Sequence, residues 1–453
     1  MTKKIVIVGA SHGGHQAIIE SLNRYEDVDV TLFEAGDFIS FMSCGMQLYL
    51  ENKVTDVDDV RNFSEDTFKE KNVHVLSNHL VTKINSDQKT VTVENDGKSK
   101  DVSYDKLILS SGVTPNTLPV PGADLDNVFL MRGKDWATKI KSQLEDESIK
   151  NVTIIGAGYI GIEAAEVSKK YGKNVTIIDH NEHVLGTYLD YELSDLIKDE
   201  LISNGINLEL SANVEAFNGN GSVESVKISD KEIPSDLVIQ AAGIKPNTEW
   251  LKGIINLDNH GFIETDEYLR TNVPDVYAVG DATLVYSIPA QEKMPIALAT
   301  VARRQARYVV KHLFEKLPTE SFKGVNGSSA LSVFDYHFAT TGINEISANK
   351  INQKINSNFY KGKLRPSYVA ESENNQEVYV ELNYLPQTHQ IVGGTVLSKG
   401  DVTAHGNTLS LAISNKMTLE DLADTDFFFQ PGFDRQWSLL NLAAQNALGE
   451  YKF

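Results

Sequence analysis

The sequence predicts an α/β protein built from two doubly wound parallel-sheet domains, with a third, smaller α+β domain at the C-terminal end. Three observations carry this. A strand, a glycine-rich turn, a helix and a second strand follow one another at the N-terminus, and the same order returns near residue 151. Alternating strands and helices wind into parallel sheets covered on both faces. From about residue 325 the pattern changes to strands joined by short turns, then to Leu- and Ala-rich helices.

In chain order, Lys4 to Val8 is the first strand, Gly9 to Gly14 the turn, residues to about Asn23 the helix, and Val28 to Glu34 the next strand. The repeat runs from the strand Asn151 to Ile155, through the turn Gly156 to Gly161 and a helix to about Tyr171, to the strand Asn174 to Asp179. Two strand-and-turn segments ending in proline, Leu107 to Pro115 and Leu237 to Pro246, each close a domain and cross to the next. Asp275 to Ala282 is a further strand ending near an acid, ahead of a helix expected from about Pro295 to Phe314. Val378 to Leu382 and Gln390 to Leu397 read as strands, and helices are expected near 403–415 and 434–448. The expected divisions are 1–117 and 248–324 for the first domain, 118–247 for the second and 325–453 for the third.

The chain has 453 residues, 41% of them hydrophobic, enough to bury a sizeable core. Its formal charge of −20 repels phosphate backbones and anionic lipid, so neither nucleic acid nor a membrane is expected as a partner. No run approaches the ~18 apolar residues of a membrane span. The N-terminus flows into a glycine turn instead of a cleavage site. A single cysteine fits a reducing compartment, so a cytoplasmic protein is expected. No histidine and acid pair has ligand spacing, and one thiol makes no cluster, so no metal site is expected.

Glycines in such turns serve a tight bend, close approach of backbone to a pyrophosphate, and close packing of helix on strand. The helix N-terminus then offers free N–H groups to the phosphates. Gly156, Gly158 and Gly161 fit this pattern completely, and Asp179 follows at a strand end, placed to accept a ribose 2′-OH. A carboxylate there repels a 2′-phosphate, which favours NADH over NADPH. The first turn keeps Gly9, Gly13 and Gly14, has Ser11 where the second glycine would stand, and is followed by Glu34. The two turns imply a flavin dinucleotide, FAD, on the first domain and a nicotinamide on the second. Gly280 and Asp281 stand where an acid would meet the flavin's ribityl chain, the competing reading being a helix N-cap. Ser43, Ser111, Gly112, Ile160, Gly243, Ala299 and Thr300 complete the expected cofactor-binding set.

Cys44 is the one cysteine, so no second sulfur in the chain can close a disulfide with it. Its oxidised form is a sulfenic acid or a mixed disulfide with an external thiol. Gly45 to Leu50 reads as a first helical turn, and a thiol at a helix N-terminus is expected to have a lowered pKa. His12, inside the first turn, reads either as a proton donor or electrostatic aid near the thiol or as a cap of its own helix. Arg303 and Arg304 are adjacent on one helix, so only one can face inward; on spacing alone both read as solvated. His15 reads as a surface group.

Five motifs together are familiar: Gly9 to Gly14, Asp37 to Leu50 around Cys44, Gly156 to Ala165, Gly280 to Thr283, and Asp426 to Pro431. On them the chain resembles, nearly end to end, the NADH peroxidase and NADH oxidase group of the flavin-dependent pyridine nucleotide–disulfide reductases, most of all its peroxidases. The resemblance implies FAD- and NAD-binding domains and a C-terminal dimerisation domain, hence a homodimer or homotetramer. It implies that Cys44 cycles between thiolate and sulfenic acid, with His12 and Arg303 beside it, and that Tyr159 covers the flavin until NADH arrives. The expected activity is NADH-dependent reduction of hydrogen peroxide. The alternatives are a water-forming NADH oxidase using O2 and, from another class, a flavin-based redox sensor. One departure is Gln16, where peroxidases of this kind carry a glutamate able to pair with the arginine matched by Arg303. A neutral Gln16 is expected to leave Arg303 freer.

Overall fold

In the computed structural model, which describes residues 2–69 and 71–450, the expected doubling is visible in the sheets. Met1, Glu70 and 451–453, the last three closing the expected third domain, lie outside the described residues. The first sheet is five parallel strands in the order Val276–Ala278, Lys106–Leu109, Lys3–Val8, Val28–Phe33, Val73–Leu76. The second repeats the plan with Ile206–Glu209, Asn174–Ile178, Asn151–Ile155, Leu237–Gln240 and Val128–Leu130. Each central strand is a short run of β-branched residues buried from both sides, such as Ile5, Val6 and Ile7 or Val152, Thr153 and Ile154. That composition suits a parallel strand covered by helices on both faces. Each unit also carries a three-stranded antiparallel meander, Leu80–Ser103 in the first and Val214–Pro234 in the second.

The two proline-ended crossings meet. Val113–Pro115 and Ile244–Pro246 pair antiparallel, with Pro115 opposite Ile244. The second unit is thus inserted into the first at a two-stranded stalk, and Val276–Ala278 returns the chain to the first sheet.

The C-terminal unit is a five-stranded antiparallel sheet, ordered Ser329–Val333, Tyr336–Gly342, Ile391–Ser398, Glu377–Tyr384, Asn356–Lys363. Helices Ala404–Ser414 and Leu439–Ala447 pack their leucines and alanines into its core. The second of these starts later than expected, because Ser438 and Asn441 form a reciprocal cap that fixes the N-terminus there. A short helix, Leu419–Ala423, was not foreseen. The helix expected from Pro295 runs instead over Ala299–His312. Glu292–Met294 is extended, paired with Val285–Ser287, and a residue before proline resists the helical conformation.

Candidate active site

The two glycine turns are built alike. Gly9 and Gly156 have φ of +98° and +110°, the left-handed region that favours glycine. Gly14 and Gly161 let the helix sit on the strand: a Cβ on either would lie 2.0 or 1.8 Å from the carbonyl oxygen of Gly9 or Gly156. In both turns the following acid braces the loop. Glu34 accepts from the Ala10 N–H at 2.9 Å and from Gly36, and Asp179 accepts from the Ala157 N–H at 2.6 Å and from Asn181. A carboxylate has about four lone-pair sites. Glu34 therefore retains two and Asp179 one for a ribose hydroxyl.

Other observations fit the dinucleotides. Nothing stands within 4 Å of where a Gly158 side chain would be, so the second loop is open to a pyrophosphate. A cleft of about 760 Å³ is lined by Gly156, Gly158, Asp179, Tyr188 and Gly243. Beside the first loop, the buried hydroxyl of Ser111 has no protein partner, next to Gly112 in the left-handed region. Ser11 precedes the helix His12–Arg24 without capping it through its side chain, and Gly13 leaves room for the Ser110 hydroxyl. Ala299 and Thr300 open the helix Ala299–His312, where backbone N–H groups are free. Asp281 caps no helix; it lies in a turn, its carboxyl pushed up by burial despite Arg132 at 3.5 Å. Ile160 is exposed, and Tyr159 stacks on Tyr188 with ring centres 3.9 Å apart while its hydroxyl meets Ser329 at 2.8 Å.

Cys44 lies at the junction. Ser43–Gly45 is a 3₁₀ turn running into the short helix Met46–Leu50, and Met46, Tyr49 and Leu50 pack into the second unit's core. Cys44 is exposed, its Sγ 4.0 Å from His12 Nε2. The lowered thiol pKa expected from the helix N-terminus is not found. Although the residue as a whole is exposed, burial of the sulfur raises its pKa, with Glu163 adding to the rise; backbone N–H groups and Arg303 oppose it. A five-residue helix has a small dipole, and desolvation outweighs it.

His12 is likewise not a cation. Burial, Arg303 and Arg132 bring its titration down to about 4, so the ring is neutral near pH 7, and its buried Nδ1 has no protein partner. Arg303, read as solvated from spacing, faces inward. Its guanidinium donates to Gln16 Oε1 at 3.1 Å, Asn62 Oδ1 at 3.0 Å and His15 Nδ1 at 3.2 Å. Gln16 therefore does not free the arginine; its amide oxygen replaces a carboxylate as acceptor. His15 is not a surface group either: its ring stacks on Phe63 at 4.7 Å, and burial first, then Arg303, brings its titration to about 4. The signal for it was the His12, His15 spacing, one helical turn on the face toward Arg303.

Glu163 was also missed as a site residue, although it stands in the second-loop motif. Burial, Glu166 and Glu51 lift its carboxyl to about 7, and its charge is felt at Cys44. Among the described residues no cluster of three metal-ligating side chains occurs, and no helix is long and apolar enough to cross a membrane.

Two loops built for dinucleotides with a free cysteine at their junction define the class as a dinucleotide-dependent oxidoreductase. Comparison gives the family. A model described as pyridine nucleotide-disulphide oxidoreductase matches residues 3–306, and one for its dimerisation domain matches residues 328–439. An NADH oxidase of Enterococcus faecalis is 39% identical over 449 residues, covering 98% of this chain and 99% of the relative. The water-forming NADH oxidase from Lactobacillus brevis, solved bound to NADH, superposes with a TM-score of 0.94 at 36% identity, covering 99% of this chain and 98% of that one. An NAD-dependent persulfide reductase from A. fulgidus gives 0.93 at 27% identity, covering 99% and 83%. The chain belongs to the pyridine nucleotide-disulphide oxidoreductase family, within its NADH oxidase and peroxidase group, and its cofactors are FAD and NADH.

Proposed function

We propose that the protein is a water-forming NADH oxidase in which Cys44 performs the step that breaks an O–O bond. The observation that carries this is the lone thiol 4.0 Å from a neutral His12 at the first glycine loop, with Arg303 held inward nearby. The names of the relatives favour dioxygen as the oxidant. FAD, when bound, supplies a hydride acceptor for NADH and the electron pairs that reduce dioxygen and restore the thiol. Cys44, as thiolate, attacks one oxygen of a peroxide. The O–O bond breaks, sulfur loses two electrons and becomes sulfenic acid, and hydroxide leaves to become water with one proton. Two electrons and one proton return the sulfenic acid to thiolate and release a second water. His12, being neutral, contributes an N–H or a lone pair, while the positive field comes from Arg303.

A second reading, NADH peroxidase, takes hydrogen peroxide from outside and uses the same thiol step. Arg303 serves both readings alike, because a fixed cation steadies departing hydroxide whatever the source of the peroxide. The match to a dimerisation domain supports a homo-oligomer, dimer or tetramer, as do the exposed Phe428, Phe433 and Trp437 of the C-terminal unit.

The test is NADH consumption by the flavoprotein, aerobically without peroxide and anaerobically with it. Fast aerobic turnover at about two NADH per O2, the ratio for full reduction to water, is the expected result. Slow aerobic and fast anaerobic turnover would select the peroxidase; slow rates in both would remove both readings. Cys44→Ser is expected to abolish peroxide reduction while NADH still bleaches the flavin, and full retained activity would overturn the thiol step.

A further inference from the structure

Arg303 is held in an unusual way. Its three hydrogen-bond acceptors, the amide oxygens of Gln16 and Asn62 and the Nδ1 of His15, are all neutral groups. A guanidinium bonded to a carboxylate shares most of its field with that partner; one bonded to amide and imidazole acceptors keeps its full charge. His15 suits this task. Its Nδ1 accepts, so the proton sits on Nε2, and stacking on Phe63 fixes the ring plane. Desolvation and Arg303 itself keep the ring uncharged, so it does not repel the cation it holds.

We propose that His15, Gln16 and Asn62 form an all-neutral cradle that positions Arg303 as an uncompensated cation toward the Cys44–His12 pair, His15 being a positioning residue. This rests on the reading of Cys44 as the reacting thiol. The surrounding charges were weighed. Gln16 passes its amide N–H to Glu20 at 3.1 Å, but Glu20 is already paired with Arg24 at 2.8 Å and faces Arg307 at 3.7 Å. From the second unit, Glu163 opposes the thiolate. Arg132, paired with Asp281, adds to the field that keeps His12 neutral. Arg303 is the one charged side chain among these that acts on His12, His15 and Cys44 alike.

The cradle is tested on the FAD-loaded, reduced protein by the pH dependence of Cys44 alkylation with iodoacetamide, which needs no oxidant. Gln16→Glu and Asn62→Asp each set a carboxylate against the guanidinium. Each is expected to raise the apparent pKa of Cys44 by about one unit, a tenfold loss of thiolate at a given lower pH. His15→Phe keeps a ring for Phe63 but loses the acceptor, and is expected to slow alkylation near pH 7. His15→Asn, whose amide oxygen replaces Nδ1, restores it. An alkylation profile unchanged in both carboxylate variants, or no rescue by asparagine, overturns the proposal. If wild-type protein consumes no NADH with either oxidant, the functional reading fails, and the alkylation profiles still decide the cradle.

Discussion

At the scale of residues, the site is set by what burial does to charge. Glu163 is the acid with a neutral-range pKa that acts on the thiol, lifted to about 7 first by burial and then by Glu166 and Glu51. Its protonated form prevails below that value, and its carboxylate above it pushes the Cys44 thiol up. Wild-type alkylation of Cys44 should therefore show an inflection near pH 7 that Glu163→Gln removes; an inflection that persists in the variant would place its origin elsewhere. Asp179 makes a different prediction. Its carboxylate already accepts three N–H bonds in the second loop, so Asp179→Ala should loosen the loop as well as remove repulsion toward a 2′-phosphate. Bonds to a charged acceptor contribute about 1.5–3 kcal/mol, so KM for NADH should rise roughly tenfold or more, with the NADPH-to-NADH ratio rising too. An unchanged ratio in steady-state kinetics would show that the ribose is read elsewhere. Asp179 was legible in the sequence because it follows Gly161 at the spacing of a dinucleotide loop, and Cys44 because it is the one cysteine; spacing alone left His12 as a cap of its own helix, and only the resemblance put it beside the thiol. The charge states of Cys44 and His12 were not legible, since desolvation is a property of walls brought together from both units. Spacing alone hid Arg303 for the same reason, although the resemblance placed it beside Cys44: helical spacing says that one of two adjacent arginines can turn inward, and Gln16, His15 and Asn62 say which.

At the scale of elements, the two strand–turn–helix repeats were readable to within a residue or so, because β-branched strands and glycine turns are local signals. Elements whose ends depend on partners were less so. The start of the helix Ala299–His312 is decided by the hairpin before Pro295, and that of Leu439–Ala447 by a side-chain cap. The glycine that allows the second helix to lie on its strand is Gly161, whose Cβ would fall 1.8 Å from the Gly156 oxygen. Gly161→Ala must push the helix off the loop. A loss of about 1–3 kcal/mol is expected, the usual range for overpacking, together with weakened NADH binding. Thermal unfolding and NADH titration of the variant check this, and wild-type values for both would mean that the helix moves freely.

At the scale of the whole molecule, the C-terminal unit is fastened to the second glycine-loop unit by bonds no single-unit reading could foresee. Phe334 N–H donates to Glu166, Asn344 to the Gly186 carbonyl, and Glu345 N–H to Asp190. Beside these lies a buried acid pair: Glu381, 3% exposed on a strand of the C-terminal sheet, faces Asp190, 4% exposed ahead of the helix Tyr191–Ser203. Burial and Asp190 push the Glu381 carboxyl well above its ordinary value of 4.5, so it keeps its proton in the folded protein near neutral pH. A carboxyl raised in this way contributes stability that is complete below pH 4.5 and is lost as pH rises toward the folded value. Glu381→Gln should flatten that decline by up to about 1.4 kcal/mol per pH unit, so its Tm should fall less than wild type between pH 6 and 9. Parallel Tm curves for the two proteins would show that the pair holds no such proton. The stalk formed by Val113–Pro115 and Ile244–Pro246 carries a consequence of another kind. Because Pro115 and Ile244 are already neighbours, the backbone enters and leaves the second unit at one place, where a two-residue turn would join the stalk into a plain hairpin. The first sheet, with its strand Val276–Ala278 returning beside Lys106–Leu109, would keep every strand it has. Three paired residues a side thus form a single doorway through which the chain leaves the first sheet and returns to it, with a whole second sheet strung on the path between.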